Sequence, residues 1–181
     1  MSPVATDAEL LYPLSQFRQA DGEPLPTFEV IEGSSMPQPY RDLLVHDGDM
    51  TSRLAAFHGG RIVLEVLHRE VTAKAYRREV VLHLEDSGLP VEYGAIEIFL
   101  EAFPETLRPL IVEARLPLGG LLNAHHVAYR SRPKAFINLG ADPMMSRLFE
   151  VDDATSFYGR CNELLRDDGE LLARIVEVLR P

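Results

Sequence analysis

The chain has 181 residues, of which 46% are hydrophobic, and a formal net charge of −10 at pH 7. This length and apolar content suit one domain with one core, while the acidic balance argues against nucleic-acid binding, which normally needs a basic surface. The single cysteine, Cys161, excludes an intramolecular disulfide. No apolar run approaches the roughly 20 residues that span a bilayer, and the start has no signal-peptide pattern. We therefore expect a cytoplasmic protein with no membrane or nucleic-acid partner.

Residues 1–40 carry six prolines and little hydrophobic periodicity. This composition predicts an arm that packs across the rest of the chain, with one short strand at residues 27–31. The arm is too short and too rich in proline to form a winged-helix DNA reader. Residues 41–181 are then the globular domain.

Short helices are predicted at several points between the strands. A helical pattern follows Pro39, and Asp49 or Thr51 is a suitable N-cap for a second helix that Gly59-Gly60 ends. Further short helices are predicted after Pro104, over residues 118–125 and after Asp142.

Six strands account for most of the remaining hydrophobic sequence. They are predicted at residues 61–71, as a hairpin within residues 76–100, and at residues 127–139, 157–166 and 170–179. Asp86-Ser87-Gly88 and Asp167-Asp168-Gly169 mark the two hairpin turns. Strands joined by hairpins, with few helices, predict an α+β fold built on a single six-stranded antiparallel sheet flanked by short helices.

Two charged residues fall on strand faces that are otherwise apolar. Because side chains alternate faces along a strand, Arg78 shares a face with a tyrosine and three aliphatic residues, and Glu177 shares one with four aliphatic residues. A charge in such a position needs a partner. Two interpretations stay open: a structural ion pair, or a pocket with a cationic and an acidic end that binds a small polar anion.

Several segments, in order, resemble the chorismate pyruvate-lyase family. They are LLVHDGDMTSRLAAF (43–57), AYRREVVL (75–82), RLPLGGLL (115–122) and the closing hairpin 157–181, in which a glutamate lies four residues before a proline. The resemblance implies a six-stranded antiparallel sheet with helical flaps over a closed pocket. It also implies an enzyme, a carbon–oxygen lyase that eliminates pyruvate from chorismate to give 4-hydroxybenzoate without a metal or an organic cofactor.

The same resemblance implies the residues of the site. The substrate- or product-binding residues would be Met50, Thr51, Arg78, Leu118, Gly119 and Glu177. Arg78 and two backbone amides would hold the ring carboxylate, and Glu177 would assist proton transfer near the oxygen at the opposite end of the ring. Arg78 and Glu177 are thus the predicted catalytic residues. The predicted partner is a small-molecule substrate, and the predicted state is a monomer or a small homo-oligomer.

Another segment resembles a different class of protein with the same fold. GLPVEYGAIEIFL (88–100) is similar to the effector-binding, UTRA-like domains of bacterial transcription regulators, which bind small molecules without turning them over. The alternative function is therefore a non-catalytic binder of a small aromatic acid. A further alternative is an enzyme of this fold that acts on a related enolpyruvyl or cyclohexadiene acid in a secondary-metabolite pathway.

The remaining candidates for chemistry have simpler interpretations. The six histidines form no HxxxH pair, so we expect no metal site. Arg130, Arg132 and Lys134 share a strand face that is interpreted as solvated rather than as a second anion site. Cys161 lies in no nucleophile motif and is interpreted as an ordinary, partly buried thiol.

Overall fold

One antiparallel sheet of seven strands organises the computed structural model, which describes residues 6–181. The strands are β1 (Phe28–Ile31), β2 (Ile62–Val71), β3 (Ala75–Leu84), β4 (Pro90–Phe99), β5 (Arg130–Leu139), β6 (Phe157–Leu165) and β7 (Leu171–Leu179). They lie in the order β1-β5-β6-β7-β4-β3-β2, and every neighbouring pair is antiparallel. The predicted α+β fold with a single antiparallel sheet is confirmed.

The sheet has one strand more than the six that we predicted. The additional strand is β1, which pairs with β5 at one edge so that Phe28 lies opposite Leu139. It occupies the position of the short strand expected in the N-terminal arm. Pairing with a distant segment makes it part of the main sheet, and local sequence carries no information about that pairing.

The helices are short and connect the strands. They are α1 (Asp7–Leu10), α2 (Leu14–Ala20), α3 (Tyr40–Leu44), α4 (Met50–His58), α5 (Arg108–Glu113), α6 (Leu118–Ala124) and α7 (Pro143–Phe149), with single 3₁₀ turns at Gly33–Ser35 and Leu100–Ala102. Asp49 caps α4 by accepting a hydrogen bond from the Ser52 N–H at 2.8 Å. Gly59 ends α4 in the left-handed region, at a φ of 67°. In the part of the chain that the structure describes, no helix is both long and apolar enough to cross a membrane.

The helices α1 and α2 are elements that the sequence did not predict. Thr6 and Glu9 form a reciprocal capping box at the start of α1, and Pro13 directly precedes α2, a position that proline tolerates. Leu11 and Leu14 are fully buried in the core. The first five residues of the predicted arm lie outside the described residues, and the boundary between arm and domain at residue 40 stays a prediction.

Helices cover both faces of the sheet. On one face, here called the cavity face, α3 to α6 pack against alternate strand residues such as Leu82 and Ile96. On the other, called the second face, α1, α2 and α7 pack against a cluster that includes Val81, Tyr93 and Val176. A central strand such as β4 is therefore buried on both sides, which leaves a polar side chain on either face no direct route to water.

Candidate functional site

A cavity of about 70 Å³ lies between the cavity face and the starts of α4 and α6. This volume is several times the roughly 10–15 Å³ that a single water molecule needs. The register of four strands builds its floor: Arg78, Ile96, Ile175 and Asn162 lie opposite one another across β3, β4, β7 and β6. Gly94 also lines the cavity, and β7 approaches it so closely that a Cβ there would collide with the Val176 carbonyl oxygen.

Arg78 brings into this cavity a positive charge that has no ion-pair partner in the described part of the chain. Its side chain is 2% exposed, and its Nε and Nη1 atoms have no hydrogen-bond partner within residues 6–181. Its Cζ atom lies 5.7 Å from the centroid of the Tyr76 ring. Burial lowers the pKa of Arg78, and Tyr76 opposes that shift, but a guanidinium keeps its charge in proteins. The free donors suit a carboxylate, which accepts two parallel hydrogen bonds from a guanidinium.

Glu177 has a partner that the sequence did not indicate. Its carboxylate accepts a hydrogen bond from Arg160 Nε in a buried ion pair. Arg160 Nη1 also donates to the carbonyl oxygens of Leu44 and His46, both at 3.1 Å. Burial and the Arg160 charge lower the pKa of His46 to about 4, so its ring stays neutral beside the cation. Glu177 therefore neutralises Arg160, and no ion pair joins it to Arg78.

Glu92 is an ionisable residue of the cavity that the sequence reasoning missed. It is 5% exposed, and its Oε2 atom has no hydrogen-bond partner among the described residues. Burial, followed by repulsion from Glu177, raises the pKa of Glu92 well above its ordinary value, while the attraction of Arg160 acts in the opposite direction. The raised pKa favours the protonated form of Glu92, in which a carboxyl group donates a hydrogen bond.

Asn162 and Tyr129 complete the polar lining of the cavity. Asn162 Oδ1 accepts a hydrogen bond from Ser131 Oγ at 2.9 Å, whereas its Nδ2 has no partner in the described chain. Burial raises the pKa of Tyr129 to about 12, so its phenol stays protonated. Because side chains alternate faces along a strand, Arg160 and Asn162 must lie on the same face of β6. This alternation is the feature of the sequence from which the two residues could have been predicted.

All six residues predicted for the binding site line this cavity. They are Met50, Thr51, Arg78, Leu118, Gly119 and Glu177. Met50 and Leu118 begin α4 and α6, where the first backbone N–H groups have no partner within the helix. Gly119 lets the two helix starts approach closely, because a Cβ there would lie 3.1 Å from the Cβ of Asp49. The part these residues take in ligand binding stays a prediction.

The basic run and the cysteine contribute no charge to the cavity. Arg130, Arg132 and Lys134 are exposed, and Arg132 pairs with Glu163 at 2.5 Å on the second face. The structure thus exposes these three basic side chains to solvent, as the sequence predicted. Cys161 is a free, buried thiol, and burial raises its pKa to about 12, which disfavours the reactive thiolate.

Replacing Glu92 with glutamine is expected to make stability less dependent on pH. The folded protein holds the Glu92 proton more tightly than the unfolded chain does. The tighter binding of this proton stabilises the folded protein. This stabilisation is complete below about pH 4.5 and is lost as the pH rises toward the folded pKa. The unfolding free energy of Glu92→Gln should rise relative to wild type across this range, by at most about 1.4 kcal/mol per pH unit. Urea denaturation from pH 5 to 8 measures the difference; a constant difference would mean that Glu92 is ionised.

A single antiparallel sheet with a polar cavity under short helices defines a class of α+β fold. Three solved structures share it. One is the effector domain of PhnF from Mycobacterium smegmatis, at 15% identity and a TM-score of 0.57, covering 74% of this chain and 88% of that one. Another is PhnF from the same organism, at 12% identity and a TM-score of 0.58, covering 92% and 93% of the two chains.

The third is the ligand-binding domain of a protein assigned to the GntR family of transcriptional regulators, from Bordetella bronchiseptica. It is 12% identical, has a TM-score of 0.50, and covers 66% of this chain and 83% of that one. At these identities the likeness shows the fold alone. No model of a known protein family matches the sequence, and no curated protein matches it either.

The prediction of an enzyme is wrong. Of the structures that share the fold, one is an effector domain and another is the ligand-binding domain of a protein assigned to a family of transcriptional regulators. The site agrees with this correction, because the Glu177 carboxylate required for proton transfer is held by Arg160. The carbon–oxygen lyase, its conversion of chorismate to pyruvate and 4-hydroxybenzoate, and the catalytic roles of Arg78 and Glu177 are withdrawn together.

Proposed function

We propose that this protein is a non-catalytic sensor that binds a small carboxylic acid in its cavity. The observation that carries the proposal is the buried Arg78 guanidinium, with two nitrogen atoms free of hydrogen-bond partners among residues 6–181. A buried cation with unused donors is costly for a protein. A ligand carboxylate compensates for that cost by accepting charge-assisted hydrogen bonds.

The charges of the cavity favour a ligand with a single negative charge. Arg160 and Glu177 cancel each other, and the raised pKa of Glu92 favours its neutral form. Asp49 also lines the cavity, where its carboxylate accepts hydrogen bonds from the Ser52 N–H and from Asn123 Nδ2. Arg78 is then the one cation of the lining without a counter-charge among the described residues. A second negative charge on the ligand would find no such cation and would be costly to bury.

The shape and the remaining polar groups favour a flat ring with a hydrogen-bond acceptor opposite the carboxylate. Ile96 and Ile175 lie between Arg78 and Asn162 in the same row of the sheet, and they form an apolar floor for a ring. The three strand spacings of this row separate the outer backbones by about 14 Å. Asn162 Nδ2 is a donor without an acceptor among the described residues, so a keto or hydroxyl oxygen of the ligand suits its end of the row.

Two ligands that differ only in charge test this proposal. We expect 4-hydroxybenzoate to bind and to raise the melting temperature in proportion to its concentration. The matched amide, 4-hydroxybenzamide, should bind at least about tenfold more weakly, because a hydrogen bond to a charged group contributes roughly 1.5–3 kcal/mol. Isothermal titration calorimetry measures both. Equal affinities for acid and amide would contradict the assigned role of Arg78.

A further inference from the structure

Three potential metal ligands converge on the second face of the sheet, remote from the cavity. Asp21 directly follows α2, His68 lies on β2 and Glu79 lies on β3. One ligand atom from each residue lies within 4.8 Å of the other two. His68 Nδ1 is 2.6 Å from Glu79 Oε2 and 3.9 Å from Asp21 Oδ2.

An irregularity in the pairing of β2 with β3 brings His68 next to Glu79. The register shifts between Val66 and His68, after which His68 lies directly opposite Glu79. Such bulges re-aim side chains at sheet edges, and β2 is an edge strand. Asp21 arrives from the C-terminal end of α2, so the cluster joins the N-terminal helices to the outer hairpin.

The environment of Glu79 resembles that of a supported metal ligand. Its side chain is 3% exposed, and one oxygen accepts a hydrogen bond from the Tyr93 hydroxyl. Outer hydrogen bonds of this kind orient ligating carboxylates in metal sites. The other oxygen faces His68, and this hydrogen bond raises the pKa of His68.

The neighbouring charges and the exposure leave room for an ion. The side chains of His68 and Asp21 are 55% and 46% exposed, so an ion can enter from solvent and keep a water ligand. Arg18, the cation next to Tyr93, is directed to Asp142 by a 3.2 Å ion pair. Two carboxylates and a neutral imidazole carry a charge of −2, which a divalent ion balances.

We propose that Asp21, His68 and Glu79 bind a divalent transition-metal ion, best matched by zinc, which clamps the end of α2 to the β2–β3 hairpin. Zinc accepts imidazole nitrogen and carboxylate oxygen together in a tetrahedral set with water in the fourth position. Calcium and magnesium prefer oxygen ligands alone. Two ligands at tetrahedral zinc lie roughly 3.3 Å apart, so the His68 ring has to move by less than about 1 Å. We expected no metal site because the sequence has no HxxxH pair. Such a motif is not needed when the three ligands come from three separate elements.

Zinc titration of the metal-stripped full chain tests this assignment, with His83 as the matched control. His83 makes a similar hydrogen bond to Glu65 at 2.7 Å on the same hairpin, without a third ligand. Wild type and His83→Ala should each bind one zinc per chain, with affinities within twofold. His68→Ala and Asp21→Asn should bind at least tenfold more weakly, as measured by calorimetry.

The exposed Asp21 keeps the test decisive even if His68→Ala is poorly folded. Circular dichroism confirms the fold of each variant, and cobalt absorption in wild type reports the coordination number independently. The clamp should also raise the melting temperature of wild type in zinc and leave that of Asp21→Asn nearly unchanged. Absence of zinc binding by wild type, or equal binding by folded Asp21→Asn, would overturn the proposal.

Discussion

Replacing Arg78 with methionine is expected to raise the melting temperature and to abolish carboxylate binding at the same time. The change removes a buried charge that has no partner in the described chain and leaves an apolar side chain of similar length. We expect a gain of about 1–2 kcal/mol, equivalent to roughly 2–8 °C for a chain of this size. Affinity for 4-hydroxybenzoate should fall at least about tenfold, to the level of the amide. Thermal unfolding and calorimetry measure the two effects.

Arg77→Met is the matched control, because Arg77 is the next residue on the same strand and has partners. Arg77 Nε donates to Glu97 and its Nη1 donates to Glu70, both at 2.9 Å. Its loss leaves the buried Glu97 with the Tyr12 hydroxyl as a donor at 2.6 Å and should lower stability by about 1–3 kcal/mol. Ligand affinity should stay within twofold of wild type. We therefore expect Arg78→Met to raise stability and Arg77→Met to lower it. Equal destabilisation by both would show that the Arg78 guanidinium has hydrogen-bond partners in the ligand-free protein.

Replacing Glu177 with glutamine is expected to cause the larger loss of stability. The variant leaves the Arg160 guanidinium, 1% exposed, without a counter-charge. Breaking one partner of a buried ion pair costs about 3–5 kcal/mol, which corresponds to a fall in melting temperature of roughly 6–20 °C. Urea denaturation at pH 7 gives the free energy directly.

The double variant Arg160→Met/Glu177→Leu separates the pair from its surroundings. It removes both charges together, so it should be more stable than Glu177→Gln alone. Recovery should be incomplete, because the carbonyl oxygens of Leu44 and His46 lose the donor that Arg160 supplies, at about 1 kcal/mol each. If the double variant is as unstable as Glu177→Gln, the main loss of stability in Glu177→Gln does not come from the unpaired Arg160 charge.

Local signals in the sequence were sufficient for most secondary structure. Gly88 and Gly169 adopt positive φ values in the two predicted hairpin turns, and Asp49 caps the helix predicted to start there. The proline in β5 coincides with a register shift between Pro133 and Ala135, because proline cannot donate to the ladder and is confined to edges and bulges. These features depend on a few adjacent residues, so sequence alone reveals them.

The short helices α1 and α2 needed more than local signals. Each is shorter than a helix that holds together in isolation, and the prolines around them favour a loop interpretation. Burial of Leu11 and Leu14 against the second face is what stabilises them. These two helices therefore form only when the sheet is present for them to pack against.

Strand periodicity is enough to predict that one cation and one anion lie on apolar strand faces, because it assigns each side chain to a face. Their partners could be identified only from the arrangement of the strands in the sheet. The order of strands places β6 beside β7, so Arg160 meets Glu177, and Arg78 is left with unused donors in the cavity. The same order brings Glu92 close enough to Glu177 for their charges to interact. Pairing between distant strands is set by the packing of the whole sheet. It gives Glu177 an ion-pair partner and leaves Arg78 without one among residues 6–181.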